Sequence, residues 1–500
     1  MVTHAARNGG AQRRVLMSIL AFACTGVATA LLAGSLAARG VNAVLVAPPE
    51  IDTAAVGRFV SAYCARTGLP GAVVAITRGN RAIYLGGQGT SSDGSPLDAD
   101  SRLPIASLSK SFTALAIMQL VERGTLDLDQ PVRRFLPEFV VADGRGDRIT
   151  VRQLLDHTSG MADTEFPEKS IPTPASLRDA VARLRTARLA SDPGTSFHYH
   201  NPNYWVAARL IEVVSGESFP GYLQRHVFDP AAMHASTTAG SLPSVADVAH
   251  GHIRFYGASL ALPEPPWYLE GASGVVTTAR DLARWLIVQS TGGVSADGVR
   301  LISAESVDAM HRRQLGWSLD QRTGAAHHAG WLFTFTARQV VLPNGYAIAV
   351  ATNRGVSVGP DDSEEIMSGL VAMTRGETPT VGAPVGRIID LVLLLLTLGV
   401  GAAGIRSVRR SRIWAERWHR QATVSAVLGL AAWIAPIVTL ASLRRIVMYV
   451  FGGRDGTWTQ LAYVAPSLVV MLAVATAFGV VIVILRIVLV TRDGTLGPGS

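Results

Sequence analysis

Four long apolar runs restrict what this chain can fold into more than any other feature. They cover residues 15–38, 388–405, 422–443 and 461–485, and Asp390 is the one charged residue among them. A helix needs about 20 such residues to cross the hydrocarbon core of a bilayer. Charged residues make up 16% of the chain, below the roughly 25% of a typical soluble domain. We therefore predict four transmembrane helices, one before and three after a central polar region.

The net charge of +8 is unevenly distributed. Residues 50–384 contain 29 Lys and Arg against 33 Asp and Glu, so the basic excess lies beside the apolar runs. Basic residues next to a span mark the cytoplasmic side of a membrane, whereas a nucleic-acid-binding domain carries them on a folded surface. We expect no nucleic-acid partner, both termini and the Arg-rich loop at 406–420 in the cytoplasm, and a multi-pass cell-membrane protein whose region 45–385 is extracytoplasmic.

The N-terminal run is longer than the apolar part of a signal peptide, which spans about 7–15 residues. We interpret residues 1–44 as a cytoplasmic N-terminus and membrane anchor, with a cleaved signal peptide as the alternative because residues 41–43 fit a cleavage site. Residues 45–384 then form the functional domain, and residues 385–500 form three transmembrane helices with an Arg-rich loop. The two cysteines, Cys24 and Cys64, are not expected to form a disulfide.

The central region combines strand and helix patterns. Residues 73–76 with 81–85, and 336–342 with 346–352, are two predicted hairpins, the second around the turn signal Pro343-Asn344-Gly345. Helices are predicted between them at residues 109–123, 203–215 and 279–289. Strands at both ends with helices between predict an antiparallel sheet closed by the first and last strands.

One of the chain's two lysines stands three residues after a serine. In Ser107-Leu-Ser-Lys110, the serine and lysine share one face if the segment is helical. Serine is a weak nucleophile until a base takes its proton, and a buried lysine can lose its charge and help, which arginine cannot. The chain has 43 Arg and two Lys, Lys110 and Lys169. The spacing alone does not distinguish a catalytic pair from an ordinary helix start.

Two further motifs follow in the chain, Tyr199-His200-Asn201 and His328-Ala329-Gly330. With the Ser107 motif, they resemble in type and order the motifs of the serine beta-lactamase and penicillin-binding-protein superfamily. Residues 105–124 and 149–160 are also similar to segments of class C beta-lactamases and their relatives. The resemblance covers roughly residues 52–374.

The resemblance implies a beta-lactamase-like α/β fold of the α+β type. An antiparallel sheet flanked by helices would face a helical subdomain, with the site between them. Ser107 would attack a carbonyl, and Tyr199, aided by Lys110, would take the proton and return it to the leaving group. A tyrosine near a cation can serve as a base because the cation lowers its pKa.

The resemblance also implies substrate-binding residues. Asn201 and His328 would position the substrate, and the backbone N–H groups of Ser107 and Trp331, beside Gly330, would form the oxyanion hole. Trp331 and Thr334 stand where many relatives have glycine, so a narrower cleft or an altered hole stays an alternative. His157, which lies in the second similar segment, is expected to be structural.

The expected reaction is hydrolysis of an amide or ester carbonyl through a Ser107 acyl-enzyme, without a cofactor or metal. Substrates would be D-amino-acid peptides such as those of the cell wall, small esters or beta-lactams. Histidine, with an ordinary pKa of about 6.5, is mostly neutral at pH 7. His328 should therefore hold a substrate carboxylate weakly, which favours esters or peptides over beta-lactams. The alternative is a penicillin-binding or sensor module without turnover, coupled to the spans.

Overall fold

The structure is a computed structural model that describes residues 50–420, 424–450 and 456–494. The predicted N-terminal span and Cys24 lie outside these residues. The strands are β1 (Gly71–Arg78), β2 (Arg81–Gly89), β3 (Leu103–Pro104), β4 (Thr237–Thr238), β5 (Gly251–Phe255), β6 (Ala258–Leu262), β7 (Val275–Thr277), β8 (Ser318–Asp320), β9 (Ala325–Trp331), β10 (Thr336–Val341) and β11 (Tyr346–Thr352).

The helices divide between the polar region and the C-terminal part. Those of the polar region are α1 (Thr53–Thr67), α2 (Ser109–Glu122), α3 (Val132–Phe135), α4 (Val151–Leu155), α5 (Leu177–Arg183), α6 (Pro202–Ser215), α7 (Phe219–Leu223), α8 (Ala279–Ser290), α9 (Ala304–Arg312) and α10 (Asp362–Met373). The C-terminal helices are α11 (Val385–Arg409), α12 (Ser411–Arg420), α13 (Val424–Val450), α14 (Trp458–Val464) and α15 (Pro466–Gly494).

A six-stranded antiparallel sheet organises the polar region, with the strand order β2-β1-β11-β10-β9-β8. The first strand pairs with the last, Ala72 opposite Thr352. The predicted closure of the sheet by its two ends is therefore confirmed. Two small sheets, β3-β7-β4 and β5-β6, lie outside it.

Helices cover both faces of this sheet. Successive side chains on a strand point to opposite faces, so Val74 and Ile76 of β1 pack with α1 and α10, whereas Val73 and Ala75 belong to the larger core around α2 and α8. The predicted α+β architecture is confirmed. The helices predicted at 109–123, 203–215 and 279–289 are α2, α6 and α8, each with its ends shifted by one residue or less.

Three C-terminal helices are long and apolar enough to cross a membrane: Val385–Arg409, Val427–Val450 and Pro466–Arg492. Their bounds differ from the apolar runs. The last run was expected from residue 461, but α14 ends at Val464 and a new helix begins at Pro466, since proline cannot donate the backbone hydrogen bond that would continue α14. Part of the Arg-rich segment expected as a loop is also helical, as α12.

The C-terminal helices are docked onto the polar region through the β5-β6 hairpin. Arg254 of β5 donates from Nε to Oδ2 of Asp390 in α11 at 2.9 Å, and both residues are 4% exposed. Its guanidinium lies against Gly386, where a Cβ would come within 2.1 Å of Nη1. At the hairpin turn, Tyr256 binds the hydroxyls of Ser467 and Thr397 at 2.9 and 2.8 Å. Asp390 therefore holds the β5-β6 hairpin against α11.

Candidate active site

The candidate nucleophile lies in a strained turn. Ala106–Leu108 forms a short 3-10 helix that leads directly into α2, and Ala106 has a φ of 50°. A non-glycine residue in this left-handed region is unusual, and such strain often occurs at functional sites. The turn presents Ser107 at the start of a helix whose first two turns are completely buried, and 8% of Ser107 is exposed.

Lys110 brings its amine to the hydroxyl of this serine. The Nζ atom lies 3.1 Å from Ser107 Oγ, 2.9 Å from Asn201 Oδ1 and 2.9 Å from the carbonyl oxygen of Ala272. It is also 4.9 Å from the centre of the Tyr199 ring. Lys110 has no exposed surface. Ser107, Lys110, Tyr199 and Asn201, which the sequence singled out as one set, therefore converge in the folded chain.

Asn201 is held from both ends of its amide. While Oδ1 accepts from Lys110, Nδ2 donates to Glu168 Oε1 at 2.6 Å. This fixes which end of the amide faces the lysine. Glu168 is buried in the loop before α5 and was not predicted from the sequence, because no motif or periodicity marks it.

His157 packs against the Tyr199-His200-Asn201 segment. Its Nδ1 lies 3.2 Å from the backbone N of His200 and 3.1 Å from Nδ2 of Asn203, and its ring centre is 4.4 Å from that of Tyr199. The imidazole packs against the motif, as expected for a structural residue.

Strand β9 forms the opposite wall. A Cβ on Gly330 would lie 2.5 Å from the carbonyl oxygen of Ile105 and 3.0 Å from the Cβ of Ala106, so glycine permits the close approach of β9 to the serine turn. The N–H of Leu332 donates to Phe335 across the sheet, and alternate N–H groups of a strand point in opposite directions. The N–H of Trp331 therefore points away from β10. Trp331 also lies past the residues of β9 that pair with β8, so β8 does not accept this N–H.

The side chains of Trp331 and Thr334, two positions where the resemblance led us to expect glycine, are bound elsewhere. Trp331 is on the opposite face of β9 from Gly330, since the two are neighbours on a strand, and its Nε1 donates to Asp361 at the start of α10 at 2.7 Å. Thr334 is completely buried, and its hydroxyl donates to Glu264 at 2.6 Å. Glu264 also accepts the backbone N–H groups of Phe333 and Thr334, and burial raises its pKa. The Trp331 side chain therefore points away from the serine turn, and the Thr334 hydroxyl is held by Glu264.

His328 lies two residues before Gly330 on β9, and the two residues therefore share the inward face of this strand. It is 9% exposed, its ring centre is 6.5 Å from that of Tyr199, and its Nδ1 lies 2.7 Å from the carbonyl oxygen of Ala329. Burial, with the positive charge of Lys110 as the next cause, lowers the pKa of His328 to about 3. The imidazole is therefore neutral at pH 7 and carries no fixed charge for a substrate carboxylate.

A fall in pH from 7.5 to 5 is expected to destabilise the folded chain through His328. Between pH 6.5 and about 3, the unfolded chain binds a proton on this residue that the folded chain does not, so stability decreases as pH falls. At pH 5 the loss is about 2 kcal/mol. His328→Asn should remove that part of the loss, which thermal melting of both proteins at pH 5 and 7.5 measures. An equal drop in melting temperature for both would contradict the assignment.

Comparisons with known proteins identify the family of the chain. The sequence profile of the family described as Beta-lactamase matches residues 56–370. "Penicillin-binding protein 4" of Amycolatopsis lactamdurans is 31% identical over 324 residues, which cover 58% of this chain and 82% of that protein.

Solved structures show the same fold. The octameric penicillin-binding protein homologue from Pyrococcus abyssi is similar with a TM-score of 0.57 and 23% identity over 69% of this chain and 81% of that one. A D-stereospecific amidohydrolase from Streptomyces sp. has a TM-score of 0.51 and 24% identity over 64% and 98%. The profile match spans more than half of the chain, from α1 to the end of the sheet and into α10, and the chain belongs to the beta-lactamase family of serine hydrolases and penicillin-binding proteins.

Proposed function

We propose that this protein is a membrane-anchored hydrolase that cleaves ester or amide carbonyls through an acyl-enzyme on Ser107. The observation that supports it most is the 3.1 Å contact between Lys110 Nζ and Ser107 Oγ, made by a completely buried lysine. A buried amine that contacts a hydroxyl, a side-chain amide and a backbone carbonyl is arranged to exchange a proton with the serine.

The proposed reaction has two balanced halves. Ser107 Oγ attacks the carbonyl carbon while its proton passes to Lys110 Nζ, and Lys110 in turn passes a proton to Tyr199. The N–H groups of Ser107 and Trp331 bind the oxyanion. The bond from the carbonyl carbon to the leaving group then breaks, and the leaving nitrogen or oxygen receives that proton. A water molecule attacks the acyl-enzyme, restores the Ser107 hydroxyl and releases the carboxylic acid. Asn201 and His328 position the substrate carbonyl.

The polarity of the site supports ester or uncharged amide substrates over beta-lactams. His328 is neutral at pH 7, and Lys110, the cation beside Ser107, is engaged by Asn201 and Ala272. Beside Asn201 lies a pocket lined by Trp205, Trp267 and Tyr268. The charged Glu168 and Lys169 line the same pocket, so it suits a small substrate group with both apolar and polar parts. Small esters and small peptides without a carboxylate beside the scissile bond are the proposed substrates.

The membrane anchor is proposed from the three apolar helices α11, α13 and α15. The charge distribution supports a location of residues 45–385 outside the cytoplasm, where they would meet extracellular or cell-wall substrates. Because the hairpin β5-β6 is docked onto two of these helices, the polar region would be held close to the membrane surface.

A second candidate function is a sensor that is acylated without turnover. Tyr463 of α14 donates to the carbonyl oxygen of Pro263 at 3.0 Å, and its ring centre lies 5.9 Å from that of Phe333, two residues beyond Trp331. The C-terminal helices therefore contact the loop that follows β9, the strand that carries Trp331. A change in β9 on acylation of Ser107 would be transmitted to these helices through that loop.

Covalent labelling of the full-length protein in detergent tests both proposals. The protein is treated with a fluorescent fluorophosphonate or a fluorescent penicillin, and the labelled peptide is mapped by mass spectrometry. We expect the fluorophosphonate on Ser107 and on neither Ser109 nor Ser111, with weak labelling by penicillin. Heat-denatured protein is the control.

The outcomes separate the candidates. Steady release of product from a small ester after the burst of acylation supports the hydrolase, whereas a stoichiometric burst without further release supports the sensor. If the folded protein takes neither label, or takes it at a serine other than Ser107, both proposals are wrong.

A further inference from the structure

A buried cluster of two carboxylates and a histidine lies directly behind the Tyr199-His200-Asn201 motif. Its members are Asp163, Glu168 and His200, and their ligating atoms all lie within 4.8 Å of one another. Their side chains are between 0% and 3% exposed. The histidine comes from the motif and the carboxylates from the loop that precedes α5.

The inner atoms of the cluster converge on one point. Nε2 of His200 is 3.4 Å from Oδ1 of Asp163 and 3.4 Å from Oε2 of Glu168, and 3.0 Å from the carbonyl oxygen of Phe166. Neighbouring ligands of a tetrahedral ion with bonds of about 2.0–2.1 Å are about 3.3–3.4 Å apart. The separations from Nε2 to the two carboxylates therefore fit a shared metal ion.

Protons alone do not satisfy this arrangement. Nε2 can carry at most one proton, and the carbonyl oxygen of Phe166 is its nearest acceptor. Oε2 of Glu168 is buried and has no hydrogen-bond donor in the part of the chain that the structure describes. A buried carboxylate oxygen without a donor is costly unless it is paired with a charge or coordinates a metal. Lys169 compensates the charge of this carboxylate from the side of Oε1, but Oε2 itself faces His200 without a donor and is therefore suited to coordinate a cation.

The outer oxygens of the same carboxylates are occupied. Oε1 of Glu168 accepts from Asn201 at 2.6 Å and lies 3.5 Å from Nζ of Lys169. Oδ2 of Asp163 lies 4.0 Å from the same Nζ. Each carboxylate thus turns one oxygen to an outer partner that orients it and the other to His200, as outer partners orient the ligands of metal sites.

The chemistry of the donors selects the ion. An imidazole with two carboxylates suits a first-row transition ion, zinc foremost, whereas Mg²⁺ and Ca²⁺ prefer sets made of oxygen alone. The carbonyl oxygen of Phe166 or a water molecule would complete four ligands.

We propose that Asp163, Glu168 and His200 form a structural zinc site that fixes the candidate active-site segment. The ion would hold His200 between Tyr199 and Asn201, and Glu168 would transmit its position to the Asn201 amide. The scattered histidine pairs of the sequence predicted no metal. The proposed ligands lie 32 and 37 positions apart from His200 in the chain, so their spacing carries no recognisable ligand pattern.

Metal content tests the proposal directly. The full-length protein, purified in detergent without a polyhistidine tag, is stripped with a chelator, dialysed against zinc at low micromolar concentration and then against buffer. Zinc per chain is measured by mass spectrometry. Asp163→Asn and His200→Asn are the test variants. His311→Asn is the matched control, since His311 is a histidine of low exposure that contacts Gln289 far along the chain from the cluster.

We expect about one zinc per chain in the wild type and in His311→Asn, and an affinity at least about 100-fold lower in both test variants. A chelator should lower the melting temperature of the wild type but not that of Asp163→Asn. Wild-type protein that melts cooperatively yet binds no zinc would overturn the proposal, even if the test variants do not fold. Zinc retained by both test variants would place it elsewhere and also overturn it. Labelling of Ser107 is scored separately, so failure of the zinc site and of the hydrolase can be told apart.

Discussion

Lys110→Met is expected to slow the acylation of Ser107 by about 1,000-fold or more. Proton transfer by a positioned side chain contributes roughly 10²–10⁴-fold to a reaction, and Lys110 is the basic side chain bonded to the serine hydroxyl at 3.1 Å. The second-order rate constant of fluorophosphonate labelling at pH 7.5 measures the effect. Ser107→Ala provides the background.

Lys110→Arg separates proton transfer from charge. Arginine keeps a positive charge and several donors but cannot be deprotonated at this pH, so we expect it to lose about as much rate as methionine. Labelling within tenfold of wild type would show that charge is enough and that Lys110 does not exchange a proton. Methionine leaves Asn201 Oδ1 and the carbonyl of Ala272 without this donor, at about 1–3 kcal/mol each, so melting temperatures must accompany the rates.

Asp390→Ala is expected to destabilise the junction between the polar region and α11 by about 3–5 kcal/mol. The substitution leaves the guanidinium of Arg254 buried without its carboxylate, and removal of one partner of a buried ion pair has this typical cost. The N–H of Gly257, which bonds the same carboxylate oxygen at 3.1 Å, loses its acceptor too. Thermal melting and the rate of limited proteolysis at residues 374–384, in detergent, report the change.

Two further variants make this test specific. The double variant Arg254→Met with Asp390→Leu removes both charges and should recover most of the loss, because neither partner is left charged. Arg387→Met is the matched control, since Arg387 is an exposed arginine three residues before Asp390 in α11, and its 3.4 Å contact with the carbonyl oxygen of Arg66 is solvent-exposed. A loss as large in Arg387→Met as in Asp390→Ala would show that the buried pair has no special role.

The sequence predicted the parts of the site that are carried by short motifs. Ser107 and Lys110 could be predicted as a pair because a spacing of three residues puts two side chains on one face of a helix. The terminal hairpins predicted the sheet that brings His328 and Gly330 opposite the serine. Periodicity and turn residues are local, so these elements could be read without knowing the fold.

The supporting groups could not be predicted for the opposite reason. Glu168, Glu264 and the carbonyl of Ala272 act through contacts between segments that are far apart in the chain, and nothing in their neighbours' sequence marks them. Asp390 is a partial exception. A lone carboxylate at the start of an apolar run signals a buried partner, but it does not say that the partner is Arg254.

The pairing of β1 with β11 has a consequence for how the chain matures. Ala72 is synthesised early and Thr352 late. The pairing of β1 with β11 therefore cannot form until Thr352 has left the ribosome. Until then, β1 has only the neighbouring strand β2 to pair with, and its other edge is open to unwanted association. The polar region can therefore complete its fold only after nearly all of it has been synthesised. We expect the nascent chain to be most prone to aggregation in the time before β11 is available.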